Sequence, residues 1–274
     1  MLIRLPPTFT DRHKVVARSF VQSERLEASD RKLLFEAFDI LHRAEIEVDA
    51  ERLTFVQVYE QRIEARFANE YLDALLQTDE IETRAEQLRA QTSRQIMPIL
   101  RSWGLLDQNE PLSFYLLAYC LYWWYVFARG YAFEIEVFRD LSNSNIRYSS
   151  HNLLDPYERR SPFDLVLLGF RGDIKTSTYF LGAVRTTELL CDFYITRLFG
   201  AKEKRRTWVT FLQEQFWTVI RDVNLPVISM VLDDLVATES GVFQVKVNQK
   251  TLIMLDYHIW KRLITTVQQE GEKQ

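Results

Sequence analysis

Three short segments of this chain carry residue types that chemistry uses. In Gly172-Asp173-Ile174-Lys175-Thr176-Ser177 an acid and a base stand two positions apart. In a strand, Asp173 and Lys175 then point to one face and Ile174 to the other. In Ser161-Pro162-Phe163-Asp164-Leu165-Val166-Leu167-Leu168 an acid stands immediately ahead of a fully apolar run, at the mouth of a buried strand. Across residues 127–141, helical spacing aligns Phe127, Gly130, Glu134, Val137, Phe138 and Leu141 on one stripe. Glu134 therefore lies on an apolar face, while Glu136 goes with Arg129 and Asp140. A carboxylate on such a stripe must be protonated, paired or bound to a cation. Each segment alone also fits a plainer role: Glu134 reaching water from the stripe edge, Asp164 capping a loop, and Asp173 with Lys175 on a solvated strand face. Together they specify more. A tight hairpin would set Asp164 beside Asp173 and Lys175, with Glu134 packed over them. Two acids and a base on adjacent strands are what metal-assisted phosphodiester hydrolysis requires. The cation lowers the pKa of a water and offsets phosphate charge, and the ammonium holds the attacking water.

Basic residues offer weaker signals. Arg159 and Arg160 precede Asp164 in the loop 142–161, which also holds Tyr148 and His151. Such a loop can grip a phosphate backbone or simply be solvated. Lys202-Glu203-Lys204-Arg205-Arg206 opens a helix expected over residues 206–222. Cations there oppose the helix macrodipole, so phosphate contact is a reason for them, as is a solvated loop. The aromatic run Tyr119-Cys120-Leu121-Tyr122-Trp123-Trp124-Tyr125 is most simply core, with base stacking a lesser alternative. Cys120 and Cys191 match no metal-ligand spacing and read as buried, reduced thiols. His13, His42, His151 and His258 form no HxxxH pair, so a zinc site built from histidines is not expected.

The elements that must position these groups fall into two parts. Residues 1–112 read as helices throughout. One is marked by Val15, Val16 and Phe20, and one by Leu33 to Leu41, entered through Ser29-Asp30 as an N-cap. Two more cover 49–77 and 79–101, the last kinked or ended by Pro98. From Pro111 a long helix runs to Leu141, bent at Gly130. The period then turns to strands at 145–149, 163–168 and 173–177, the last two joined by Gly169-Phe170-Arg171-Gly172 as a hairpin turn. A helix over 178–190, a strand over 192–198 and a helix over 206–222 follow. Strands at 226–232, 242–247 and 251–255, the last pair turning at Asn248-Gln249, precede a helix over 257–268. Strand-helix-strand crossovers of this kind imply an α/β (α+β) fold, a mixed sheet with helices on its faces.

Pro162-Phe163-Asp164 followed by Asp173-Ile174-Lys175 resembles the split signature of the PD-(D/E)xK nuclease superfamily, with one residue inserted between the Pro and the Asp. Gly130-Tyr131-Ala132-Phe133-Glu134, continuing to Val137 and Leu141, is similar to that superfamily's first core helix and its acidic residue. The α-β-β-β-α-β order agrees, and the resemblance covers residues 113–232. It implies a restriction-endonuclease-like nuclease domain over 113–274, behind an all-helical accessory domain over 1–112. It also implies that Asp164 and Asp173 ligate Mg²⁺ (with Mn²⁺ as substitute), that Glu134 assists, and that Lys175 positions the nucleophile. The expected activity is endonucleolytic phosphodiester hydrolysis, on DNA ahead of RNA, leaving a 5′-phosphate and a 3′-hydroxyl. Arg159, Arg160, His151, Lys202, Lys204, Arg205 and Arg206 are the candidate nucleic-acid contacts. The helical part would serve a homodimer or a protein partner. The rival reading is a catalytically inactive subunit of the same fold that binds nucleic acid or protein.

Composition limits these readings. The formal net charge is −4, with 34 Lys+Arg against 38 Asp+Glu, which excludes indiscriminate charge-driven binding to nucleic acid. Residues 1–112 hold 20 acids and 15 bases, and residues 113–274 hold 18 and 19, so the acidic excess belongs to the helical part. Eight glycines and seven prolines are too few for a low-complexity or disordered chain. The longest apolar run, residues 114–128, is 15 residues, short of the roughly 20 that span a bilayer. With no signal-peptide pattern at the N-terminus, a cytoplasmic protein without membrane contact is expected.

Overall fold

A computed structural model describes residues 1–23, 31–107, 109–176, 190–199, 205–212, 241–247 and 250–271. The chain divides into two units, Met1–Ala132 and Phe133–Gln274. The first contains helices α1 (Asp11–Ser23), α2 (Arg31–Leu41), α3 (Phe55–Val58), α4 (Ala65–Leu76) and α5 (Ile81–Ser102), and the first part of α6 (Ser113–Asn143). Its residues 1–112 are not all helical: β1 (Leu2–Arg4), β2 (Glu45–Val48) and β3 (Glu51–Thr54) form a three-stranded antiparallel sheet. The reason lies in Glu45-Ile46-Glu47-Val48, where apolar and charged residues alternate and Ile46 is buried. Asp49 and Ala50, both at positive φ, make the two-residue turn. The helix expected from residue 49 starts only at Phe55. There Thr54 and Gln57 form a capping box, with Thr54 Oγ1 accepting from the Gln57 N–H at 3.2 Å. A π-helical stretch (Tyr59–Glu64) then joins α3 to α4, and Pro98 sits in the last turns of α5. The aromatic run lies in this unit's core, where the Tyr122 ring stacks on Phe38 with centroids 4.2 Å apart and Tyr119 and Trp124 are fully buried.

The second unit is built on a seven-stranded mixed sheet in the order β4-β5-β6-β7-β8-β10-β9. Its strands are β4 (Ser149–Ser150), β5 (Leu165–Leu167), β6 (Phe170–Lys175), β7 (Phe193–Phe199), β8 (Arg205–Leu212), β9 (Val242–Val247) and β10 (Lys250–Asp256). The β6–β7 pair is parallel and the other pairs are antiparallel. Helix α7 (Tyr257–Gly271) buries Trp260 and Ile264, and Gln268 clamps the Arg147 backbone through bonds of 2.9 and 2.8 Å. The mixed α/β class is thus as expected.

Several elements differ from the sequence reading. The strand expected at 145–149 shrinks to Ser149–Ser150, because Asn145 adopts positive φ and the Ile146 N–H bonds back to the Leu141 carbonyl at 3.0 Å, closing α6. The hairpin turn is not at 169–172 but at Leu168-Gly169, both at positive φ, so β6 begins at Phe170. Residues 206–212 form part of strand β8, not a helix. Trp208, Val209, Thr210 and Phe211 are all buried, so the two-residue alternation of a one-sided strand is hidden and the apolar positions mimic helical spacing. The helix over 178–190 and the remainder of the helix over 206–222 lie outside the described residues, Leu190 and residues 206–212 apart. So do the strand over 226–232, the Asn248-Gln249 turn and the Ser29-Asp30 cap. Among the described residues no helix is long and apolar enough to cross a membrane.

Candidate metal centre

The centre is assembled by the β5–β6 hairpin, the residue that follows β4, and the second half of α6. On β6, Asp173 and Lys175 share a face, and Lys175 Nζ lies 2.6 Å from Asp173 Oδ1. Ile174 points the other way into the core. The strand can lie this close to its parallel neighbour because Gly172 has no side chain; a Cβ there would stand 2.2 Å from the Phe193 ring. Asp164 extends the hairpin ladder by one residue. Its N–H donates to the Gly172 carbonyl at 2.9 Å, and its Oδ2 accepts from the Ile174 N–H at 2.6 Å. That pair of bonds fixes the carboxylate across from Asp173.

His151 enters by the same ladder on the other edge of β5, its N–H donating to the Asp164 carbonyl at 3.3 Å. Its Nε2 meets Glu134 Oε1 at 2.6 Å. Its Nδ1 lies 4.0 Å from Asp164 Oδ1 and has no hydrogen-bond partner among the described residues, although the side chain is only 5% exposed. Glu134 itself is 6% exposed on α6, beside buried Val137, Phe138 and Leu141, as its place on the apolar stripe requires. One ligand atom each from Glu134, His151 and Asp164 lie within 4.8 Å of one another.

Burial dominates the electrostatics. It pushes the carboxyls of Glu134 and Asp164 up, His151 and Lys175 countering only in part. Asp173 is pushed up to about 7, first by burial and then by the charge of Asp164, against the pull of Lys175. Burial disfavours the charged forms of Lys175 and His151, but their acidic neighbours outweigh it. Asp173, Asp164 and Glu134 raise Lys175, while Glu134, Asp164 and Glu158 raise His151. The charge of Asp164 disfavours ionisation of its strand neighbour Asp173, as in close carboxyl pairs. A buried imidazole nitrogen with no hydrogen-bond partner among the described residues, beside a carboxylate, fits a divalent cation, which would complete it.

The expected residues divide accordingly. Glu134, Asp164, Asp173 and Lys175 converge. His151, expected as a nucleic-acid contact, stands inside the cluster, and the trio that could hold a metal ion is Glu134, His151 and Asp164, without Asp173. No sequence signal marks it: the antiparallel pairing of Ser149 with Val166 and of Ser150 with Leu165 carries on to set His151 opposite Asp164. Arg159 and Arg160 lie in a 3-10 turn (Glu158–Arg160); the Arg159 guanidinium donates to the Leu153 carbonyl at 2.9 Å. Glu158 ties that turn to the centre by accepting from the Asn152 N–H at 2.6 Å. Arg206 lies on a strand, 3.7 Å from Asp256, and lines a cleft of about 390 Å³ with Glu136, Asp140 and Arg197 that includes none of the four converging residues. Arg205 is the first residue of β8, and Lys202 and Lys204 lie outside the described residues. Cys191, its thiol pushed up to about 12 by burial, donates to the Pro162 carbonyl at 3.2 Å and is an inert brace for the Asp164 loop. No protein-family model, curated protein or solved structure matches the chain.

Proposed function

We propose that this chain is a divalent-cation-dependent nuclease of the restriction-endonuclease-like type, hydrolysing phosphodiester bonds with DNA ahead of RNA as substrate. The observation that carries the reading is the convergence of Asp164, Asp173, Glu134 and Lys175 from one hairpin and one helix. Support for the fold comes from element order: a helix, three strands in a meander, then a strand parallel to the third.

Asp164, Asp173 and Glu134 supply the oxygen environment for a Mg²⁺-class cation. When bound, that cation offsets charge on the phosphate and acidifies water. Lys175 holds the attacking water and stabilises negative charge developing on the phosphate oxygens. Asp173, 2.6 Å from Nζ, fixes the direction of the ammonium. The backbone bond from Ile174 to Asp164 keeps that carboxylate from rotating away. The Arg159-Arg160 turn, tied to the centre through Glu158, contacts the flanking backbone of the substrate.

The reading is tested by Mn²⁺-dependent cleavage of plasmid and single-stranded DNA by the wild type and Asp173→Ala. Cleavage by the wild type alone supports it. Equal cleavage by both proteins, or by neither on any substrate, refutes it.

A further inference from the structure

The centre contains a nitrogen that the nuclease reading leaves unused, and this inference rests on that reading. His151 has two ring nitrogens in different settings. Nε2 lies 2.6 Å from Glu134 Oε1, and a carboxylate there, which can only accept, selects the Nε2–H form of the ring. Nδ1 is buried, has no hydrogen-bond partner among the described residues and lies 4.0 Å from Asp164 Oδ1; in the neutral ring protonated at Nε2, its lone pair is the donor that a cation arriving there would use. Two donors at that separation can both reach a cation between them, since N and O ligands bind first-row cations at about 2.0–2.2 Å. A histidine held by a carboxylate on one nitrogen and open on the other is the usual arrangement of a metal-bound imidazole.

We propose that His151 Nδ1 is a direct ligand of the divalent cation beside Asp164, that Glu134 acts as the positioning residue for that ring, and that the centre consequently takes Mn²⁺ in preference to Mg²⁺. Mg²⁺ is hard and favours oxygen donors and retained water, whereas an imidazole nitrogen adds to the affinity of first-row transition ions. Glu134 fixes which nitrogen is open, and α6 fixes Glu134.

The probe is Mn²⁺ bound to the full chain, read by pulsed electron paramagnetic resonance for coupling to a directly bound ¹⁴N. The wild type gives that coupling, and His151→Gln abolishes it. In the same variant, calorimetric Mn²⁺ affinity falls by about tenfold or more while Mg²⁺ affinity falls by less than about threefold. Glu134→Gln, whose amide oxygen still accepts from Nε2–H, keeps the coupling but weakens Mn²⁺ binding about tenfold. Oxygen-only coordination in the wild type, coupling that survives in His151→Gln, or failure to bind Mn²⁺ overturns the proposal, and the wild-type spectrum decides even if a variant misfolds. A cleavage assay on the same samples separates the two ideas. Cleavage with oxygen-only Mn²⁺ sinks the histidine ligand and leaves the nuclease; nitrogen coupling without cleavage does the reverse.

Discussion

His13 and His151 are buried to nearly the same degree, with side chains 8% and 5% exposed, and each has one nitrogen near a glutamate. In the N-terminal unit, His13 Nδ1 accepts from the Thr10 N–H at 3.1 Å, which leaves Nε2 facing Glu36 Oε1 at 4.0 Å. Its lone pair is used by the backbone at the start of α1, the carboxylate is half exposed, and the ring packs on Phe9. In the C-terminal unit, Glu134 is itself buried, its contact with Nε2 is 2.6 Å, and among the described residues no group hydrogen-bonds Nδ1. Burial is thus not what separates a structural histidine from one poised for chemistry. What separates them is the second nitrogen: among the described residues, His151 Nδ1 is a buried polar atom without a hydrogen-bond partner, and neither nitrogen of His13 is. A buried, unclosed donor is costly by about 1–3 kcal/mol, so its persistence calls for a ligand.

The largest way to break this contrast is to remove the acid that the open nitrogen faces. Asp164→Ala is expected to lower Mn²⁺-dependent cleavage by on the order of 10³-fold or more, measured as single-turnover rates, because several kcal/mol of charge stabilisation go with it. Lys175→Met comes next, with a loss of about 10²–10³-fold in the same rates, comparable to removing one donor from a developing oxyanion. Calorimetric Mn²⁺ affinity stays close to wild type in that variant, which separates the ammonium's role from cation binding. The metal-free protein gives a third, smaller effect through pH. Asp173 is raised to about 7 in the folded protein, well above the ordinary aspartate value, so the folded state holds its proton more tightly than the unfolded chain. Stability from this group is therefore full below pH about 4 and is lost as pH rises through 7. Chelator-treated Asp173→Asn should lose that decline in urea titrations and gain on the order of 2 kcal/mol at pH 8 relative to wild type. Smallest is the control from the other unit. His13→Ala should cost about 1 kcal/mol in the same titrations, the worth of a local cap, and leave Mn²⁺ affinity and its ¹⁴N coupling unchanged.

What the sequence made legible follows from periodicity. Asp173-Ile174-Lys175 alternates across one strand with a solitary apolar residue between, so the shared face of Asp173 and Lys175 could be read directly. Glu134 could be read from the helical stripe of Val137, Phe138 and Leu141. His151 could be seen only as a loop residue, because β4 is two residues long and its pairing with β5 carries no pattern of its own. Strand β8 was hidden for the opposite reason: apolar and β-branched residues fill both its faces, and a strand buried on both sides looks like a helix segment. The β2–β3 hairpin escaped because its turn is Asp49-Ala50, without a glycine to announce it, and because Leu53 and Val56 continue the spacing of the helix that follows.

The central claim is that this cluster hydrolyses phosphodiesters with water as the nucleophile, and cleavage in ¹⁸O-labelled water tests it most directly. With Mn²⁺ present, the wild type should place one ¹⁸O in the 5′-phosphate of each new end, and Asp164→Ala and Lys175→Met should do so at rates lower by the factors given above. Label-free ends, or cleavage by Asp164→Ala at the wild-type rate, would contradict the account.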